Sequence, residues 1–393
     1  MRYGDAAARR RGEKTSKYQI PKTKDQNPID WQNVQKVLVV RLRSIGDTVL
    51  ATPSLIALRR FLPNVQIDIL LEDWVAPVLE GFEAVDNVLT VSRKSKKSRF
   101  EMARQIRRNR YDVAFNLHGG TTATFFVRVS GASHRVGSSH YRYKFLYNQL
   151  LSSSTDFWQK EILHSAEQQL ALLGFVGVPV EEKPKSRLTV TESARNSLEE
   201  KFNAKTQRRK DAKNFLSENV FDNRAIPNLQ SQIALIHPVA AFDTKQWATE
   251  NFARVAEFLS EKGLPTVAVA TKKERGVLDE LKKLSSVPIM TFDDLTLPEI
   301  TALASRAALF VGNDSGIAHI AAAVNTPSVV IFGSSNINHW RPWTDAPNEI
   351  VYEKLPCQPC AGYFCKEFDA PKCILSVKTE SVWQAIEKVL SNK

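Results

Sequence analysis

Short apolar runs rich in Val and Ile alternate with helix-length amphipathic segments along this chain, and they do so in two series. That alternation is the pattern of βαβ units, whose strands lie parallel in a sheet flanked by helices, so it predicts an α/β fold. The first series predicts strands at Lys36–Leu42, Val65–Leu71, Asn87–Val91 and Tyr111–Leu117, with helices such as Pro53–Phe61 and Phe100–Arg108 between them. The second predicts strands at Ile233–His237, Thr266–Ala270, Ile289–Phe292, Leu309–Gly312 and Ser328–Phe332, separated by helices such as Asn251–Lys262 and Pro298–Arg306. Between the two, residues 181–230 turn polar and charged and hold one strand candidate, Arg187–Val190. At 393 residues the chain exceeds what one hydrophobic core organises. The reading is therefore a basic extension over 1–35, a first domain over 36–180, a charged linker or insertion over 181–230, and a second domain over 231–393. Two such halves offer the C-terminal ends of their strands to a shared cleft, where open α/β sheets bind ligands. The last helix, Val377–Leu390, has no strand after it and is expected to brace the junction.

Charge narrows the partners. Lys and Arg outnumber Asp and Glu by 54 to 42, and Arg93–Arg110 alone holds nine basic residues against one acidic. Arg128, Arg135, Arg142 and Lys144 follow soon after. Such a face either attracts phosphates or is simply a solvated helix surface. Apolar runs such as Val37–Val40 fall far short of the ~20 residues that cross a bilayer. Residues 1–30 have no apolar core of the signal-peptide kind, which points to a cytoplasmic location.

Three stretches carry chemistry. In "VVRLRSIGDTVL" (39–50) a buried strand runs into Gly46 and Asp47, which reads as a strand-to-helix turn, a phosphate cradle or a catalytic acid. In "LFVGNDSGIAHIAAAVNTPSVVIFG" (309–333) Asn313, Asp314, Ser315, Gly316 and His319 cluster where a strand gives way to a helix. The free N–H groups of that first turn, the helix dipole and the Ser315 hydroxyl suit a diphosphate, whereas plain capping needs one polar residue. In "HPVAAFDTKQW" (237–247) Lys245 lies in a loop between strand and helix, placed to hold a positive charge over a phosphate. Further on, Glu274 follows a strand end, where a carboxylate either binds ribose hydroxyls or starts a helix.

Taken together, "VLVVRLRSIGDTVLATPSLIALRRFLP", "HPVAAFDTKQW" and "GNDSGIAHIAAAVNTPSVVIFGSSNINHWRPW" resemble glycosyltransferase family 9, the inverting lipopolysaccharide heptosyltransferases. The resemblance implies a GT-B fold, two Rossmann-like domains facing across a cleft, with the acceptor on the first and an ADP-sugar on the second. It implies Asp47 as the base, Lys245 on donor phosphate, Asp314 on sugar hydroxyls, and Ser315, Gly316 and His319 on the diphosphate. The acceptor it implies is a phosphorylated lipid A core at the cytoplasmic face of the inner membrane. Arg93, Lys94, Lys96 and Lys97 are then candidate acceptor contacts, the anionic membrane surface a partner, and nucleic acid none.

Inverting transfer needs one base and an anchored leaving group, and no Asp-x-Asp metal motif is present, so the expectation is catalysis without a cofactor. All four cysteines, Cys357, Cys360, Cys365 and Cys373, fall within seventeen residues. They read as a structural zinc site or as reduced thiols, disulfides being out of place in a cytoplasmic protein. The rival functions are a relative using another nucleotide sugar or acceptor, a sugar-nucleotide epimerase of the same fold, and a non-enzymatic phospholipid- or RNA-binding protein.

Overall fold

The computed structural model describes residues 28–215, 232–360 and 362–392. The extension up to residue 27 and residues 216–231 of the charged stretch lie outside the described residues.

The first domain is a six-stranded parallel sheet built from β1 (Lys36–Leu42), β2 (Gln66–Glu72), β3 (Asn87–Val91), β4 (Val113–Asn116), β5 (His134–Ser138) and β6 (Gln149–Leu151). Its order is β3-β2-β1-β4-β5-β6. The helices that matter here are α1 (Ile45–Val49), α2 (Thr52–Phe61), α3 (Lys96–Asn109), α4 (Thr121–Ser130) and α5 (Ser165–Gly174). After α6 (Glu192–Phe215) the second sheet follows with β7 (Ile233–His237), β8 (Thr266–Val269), β9 (Ile289–Phe292), β10 (Ala307–Asn313), β11 (Ser328–Phe332) and β12 (Asn348–Tyr352). Its order, β12-β11-β10-β7-β8-β9, repeats the first once its strands are counted from β7. The helices between and after these strands are α7 (Thr249–Glu261), α8 (Arg275–Leu284), α9 (Leu297–Arg306), α10 (Gly316–Ala323) and α11 (Thr379–Ser391).

In each sheet the first strand lies at the centre, and the connection reverses direction beside it. Val39 pairs with Ile69 on one side and Phe115 on the other, which buries Val37, Leu38, Val39 and Val40 on both faces. That is why the run reads as continuous apolar sequence with no alternation. A core of β1, β4, α3 and α4 side chains, including Leu38, Ala114, Ile106 and Phe126, fills one face of the first sheet. On the other face the packing is continuous across the domain boundary, joining Leu55 and Leu58 to Ile317 and Ile320.

Several expectations are corrected. Arg187–Val190 is no strand; its N–H groups bond to both domains instead, Arg187 to Thr52 Oγ1 (3.1 Å) and Leu188 to the Ala323 carbonyl (3.2 Å). The charged stretch contains α6, an amphipathic helix that buries Leu198 and Phe202 and packs along α9. There Glu299 accepts hydrogen bonds from Ser197 (2.6 Å) and Lys201 (2.8 Å). The final helix, α11, packs on β11, β12 and α7 within the second domain, with Trp383 stacked on Phe258 at 5.3 Å. Strands β5, β6 and β12 escape the apolar pattern: β6 and β12 are edge strands, and β5, between β4 and β6, buries a single large apolar side chain, Val136.

The junction is clamped by the Trp-Arg-Pro turn. His164, which caps α5, stacks on Trp343 at 4.6 Å and lies 2.8 Å from the Arg341 carbonyl, while Trp343 Nε1 donates to the Pro184 carbonyl (2.8 Å). The same cap is held by Glu167, which accepts from the His164 N–H (3.1 Å), Lys160 (3.0 Å) and Lys183 (2.6 Å). Burial alone would raise the Glu167 pKa, but these donors outweigh it and hold the carboxyl at about 2. A depressed folded pKa gives stability that is present above the unfolded value near 4.5 and lost as pH falls through the folded one. Glu167→Gln is therefore expected to lower the denaturation midpoint at pH 7, with the deficit against the parent shrinking as pH falls from 4.5 toward about 2.

Candidate active site

Both sheets deliver polar residues at the point where strand order reverses, β1 beside β4 and β7 beside β10. In the first domain Ser44 precedes α1, and Asp47 Oδ2 accepts hydrogen bonds from the Ser44 N–H (3.3 Å) and hydroxyl (2.9 Å). The other oxygen, Oδ1, lies 2.5 Å from Arg41 Nη2. Arg41 comes from within β1 and is buried; its Nε also donates to the Asp47 carbonyl (3.2 Å). Its third contact is His118 Nδ1 at 3.2 Å, just beyond β4. Burial, then the Arg41 cation, pushes the His118 pKa down to about 4, so the ring is neutral and Nδ1 accepts from Arg41. Asn116, ending β4, orients that loop by accepting from the His118 and Gly119 N–H groups at 2.9 and 2.8 Å.

In the second domain, Asn313 ends β10 and pins the loop after β7. Its Oδ1 accepts from the Trp247 N–H (3.1 Å) and its Nδ2 donates to the Pro238 carbonyl (3.1 Å). Trp247 itself is fully buried and donates through Nε1 to the Val377 carbonyl (2.9 Å). So anchored, the loop presents Lys245, whose ammonium donates to Asp314 Oδ2 at 2.7 Å. Ser335 donates to the same oxygen at 2.6 Å, so both bonds fall on one side of the carboxylate. Ser315 Oγ lies 3.1 Å from His237 Nδ1, and burial lowers the His237 pKa to about 4. His319 is buried in the first turn of α10, and its Nδ1 has no hydrogen-bond partner among the described residues.

The two halves meet at glycines. A Cβ on Gly46 would stand 2.6 Å from His319 Cδ2, and one on Gly316 would stand 2.9 Å from Ile45 Cβ. Asp47 and the Asp314–His319 turn therefore face each other across contacting helices, α1 and α10. Burial lowers the His319 pKa, and the charges of Asp314 and Asp47, felt from opposite domains, work against that fall.

Of the remaining candidates, Glu274 acts on this centre by charge, opposing the fall that burial imposes on the His237 pKa. Glu274 takes two hydrogen bonds on Oε2, from the Thr271 N–H (2.9 Å) and hydroxyl (2.6 Å), closing a short helical turn after β8. Arg93, Lys94, Lys96 and Lys97 are exposed on the cleft side of the edge strand β3, two strands out from β1. Cys357, Cys360, Cys365 and Cys373 are free thiols that line one cavity of about 260 Å³. Among the described residues no three His, Cys, Asp or Glu side chains are grouped to hold a metal ion. The cysteine segment also bonds to the loops around the second-domain site: Gly362 accepts from Thr244 (3.1 Å), and Cys360 N–H donates to the Ser334 carbonyl (3.0 Å).

The signature of Glycosyltransferase family 9 (heptosyltransferase) matches residues 99–370, well over half of the sequence. The chain belongs to glycosyltransferase family 9. It is 26% identical over 371 residues to lipopolysaccharide heptosyltransferase 3 of Escherichia coli K12, covering 89% of this chain and 96% of that one. To lipooligosaccharide heptosyltransferase 2 of Campylobacter jejuni it is 23% identical, covering 88% and 96%. The fold of this family 9 glycosyltransferase is that of the solved family 9 protein from Veillonella parvula, with a TM-score of 0.77, 20% identity, and 93% and 100% of the two chains covered. Escherichia coli ADP-heptose lipopolysaccharide heptosyltransferase II superposes with a TM-score of 0.71 at 17% identity, covering 91% and 99%. The architecture is GT-B, as the resemblance implies. Residues that sequence reasoning missed are Arg41, His118, His237 and Ser335; Arg41 stands out only as a charged residue in the apolar run of β1, with no partner that spacing reveals.

The glycine contact yields a test. Gly46→Ala forces α1 or His319 to shift, and displacement of about 1 Å at a reacting pair is enough to slow transfer on the order of 10–100-fold. Turnover and thermal midpoint measured on the same preparation check this, with turnover falling far more than stability.

Proposed function

We propose that this enzyme transfers a heptose, with inversion, from ADP-heptose to a hydroxyl of a phosphorylated lipid A core. The observation that carries the reading is Asp47 facing, across the Gly46–Gly316 contact, a helix N-terminus flanked by Lys245, Ser315 and His319. Asp47 takes the proton from the acceptor hydroxyl, and the freed oxygen attacks the anomeric carbon from the face opposite the diphosphate. The bond from that carbon to the diphosphate oxygen breaks, and ADP leaves with the electron pair. Its growing charge meets the N–H groups of α10, the Ser315 hydroxyl and the Lys245 ammonium. His319 Nδ1, unpaired among the described residues, adds a contact to the same group. Arg41 holds the Asp47 carboxylate in place from behind.

On this reading Lys245 is shared between Asp314 and the donor phosphates. Asp314 then turns Oδ1, the oxygen that Lys245 and Ser335 leave aside, toward the sugar hydroxyls. Glu274 likewise keeps Oε1 for the ribose. Lys245 and the α10 N-terminus supply the positive charge that a divalent ion provides in other glycosyltransferases, so transfer is assigned to the protein alone.

Purified enzyme with ADP-heptose and a lipid A core acceptor tests this directly, with product and ADP binding read separately. Asp47→Ala is expected to lower turnover about 10²–10⁴-fold while ADP still binds, the range of a lost general base. Equal turnover would remove Asp47 from the chemistry, and transfer from a different nucleotide sugar would reassign the donor. Lys245→Ala is expected to weaken ADP binding roughly tenfold, as loss of a charge-assisted contact does. Chelator is expected to leave the rate unchanged.

A further inference from the structure

The first-domain wall of the cleft holds an aromatic ring beside the base that the transfer chemistry leaves unused. Strands β1, β2 and β3 are neighbours in the first sheet, with Leu42 level with Leu71 and Glu72 level with Val91. The chain therefore leaves all three at one height on the cleft side, in rows about 5 Å apart. The first row carries Asp47 and the third carries Arg93 and Lys94, both exposed. Between them, the row after β2 presents Trp74, which is 50% exposed.

Trp74 is bare but not loose. Its Nε1 donates to Glu72 Oε2 (2.8 Å) and its backbone N–H to Asp73 Oδ1 (2.9 Å), while the Val75 N–H donates to the Glu72 carbonyl (3.0 Å) and closes the turn. Val75 is fully buried, and the short 3₁₀ turn that follows, Ala76–Leu79, packs on α1 and on α9 of the second domain. The indole is thus fixed by its polar edge, on a turn wedged against the helix that carries Asp47, and half of its surface stays open to the cleft. Among the described residues the second oxygens of the two carboxylates, Glu72 Oε1 and Asp73 Oδ2, take no hydrogen bond, and Glu72 Oε1 is not among the buried atoms left without a partner, so it reaches solvent.

We propose that Trp74 is the platform on which an uncharged pyranose ring of the acceptor stacks, with Glu72 and Asp73 accepting hydrogen bonds from its hydroxyls. A pyranose has a face of C–H groups and a rim of O–H donors; the first matches a rigid aromatic ring and the second matches carboxylates, which only accept. The same two carboxylates repel a phosphate or a sugar acid from this row, so the subsite selects by charge as well as by shape. Anionic parts of the acceptor then fall to the next row, at Arg93 and Lys94. The three rows sort an acceptor into a reacting hydroxyl at Asp47, a neutral ring at Trp74 and a negative charge beyond it. The donor's adenine is the competing occupant of an open indole, but the diphosphate cradle belongs to the other domain. The subsite deepens the transfer proposed above and rests on it for the reacting hydroxyl; the stacking itself needs no turnover.

The test is calorimetric titration of the full chain with two delipidated core oligosaccharides, one ending in a heptose and one ending in a sugar acid, with ADP titrated separately. The parent is expected to bind the heptose-ended one more tightly. Trp74→Ala is expected to weaken that binding about tenfold or more, as loss of an aromatic anchor does, at unchanged ADP affinity and thermal midpoint. Trp74→Phe, which restores a ring, is expected to recover most of it. Glu72→Gln with Asp73→Asn keeps an acceptor for the indole N–H and is expected to narrow the preference between the two oligosaccharides. In turnover, Trp74→Ala is expected to raise the acceptor KM and leave the donor KM alone. The proposal is overturned if Trp74→Ala binds the heptose-ended oligosaccharide as the parent does, if it loses ADP instead, or if the parent binds the acid-ended one at least as well. Oligosaccharide binding that depends on Trp74 without any heptose transfer would sink the proposed activity alone, and transfer by Trp74→Ala at the parent's acceptor KM would sink the platform alone.

Discussion

The approach of Gly46 to His319, and of Gly316 to Ile45, is the constraint on which the site depends. Two short helices from different domains meet with no side chain between their nearest backbones. Only glycine permits that separation, because a Cβ at either position would stand closer to its neighbour than packed atoms tolerate. The contact sets how far Asp47 lies from the α10 N-terminus. Everything else at the site adjusts charge within a gap already fixed by backbone.

That charge is arranged in two buried pairs, one in each domain. Arg41 holds Asp47 and Lys245 holds Asp314, each pair delivered from strands beside a reversal of strand order. The pairs differ in polarity toward the cleft. In the first, the arginine is buried behind and the carboxylate is the more exposed partner; in the second, the lysine is the more exposed one. A carboxylate is thus presented on one wall and a cation on the other, from the same topology used twice. The neutral histidines His118 and His237 lie behind these pairs, where burial keeps them uncharged and lets them pack without adding to the field.

Much of this was legible in the sequence, and the omissions have a common cause. Strands β1, β7, β9 and β11 match the expected limits because buried parallel strands are continuous apolar runs, and the edge strand β3 matches because its Val and Leu residues are framed by polar ones. Asp47, Lys245, Asp314, Ser315 and His319 were readable because each belongs to a motif at a strand end. Arg41 and His118 were not, because their meaning depends on β1 lying next to β4, which pairing establishes and spacing does not. The extended Arg187–Val190 segment looks like a strand from its residues alone, yet its donors are taken by carbonyl and hydroxyl groups of two different domains.

The segment joining the domains has a mechanical consequence. Arg187 is bonded to Thr52, where α2 begins, and Leu188 to Ala323, where α10 ends. The connector therefore grips α10 at the end opposite Gly316, and the eight residues between form a lever arm of about 12 Å. Rotation of roughly 10° about that fulcrum lifts Gly316 from Gly46 by about 2 Å, from the helix rise alone. The separation of Asp47 from the α10 N-terminus is thus set as much by the connector at Ala323 as by the glycine contact at Gly316.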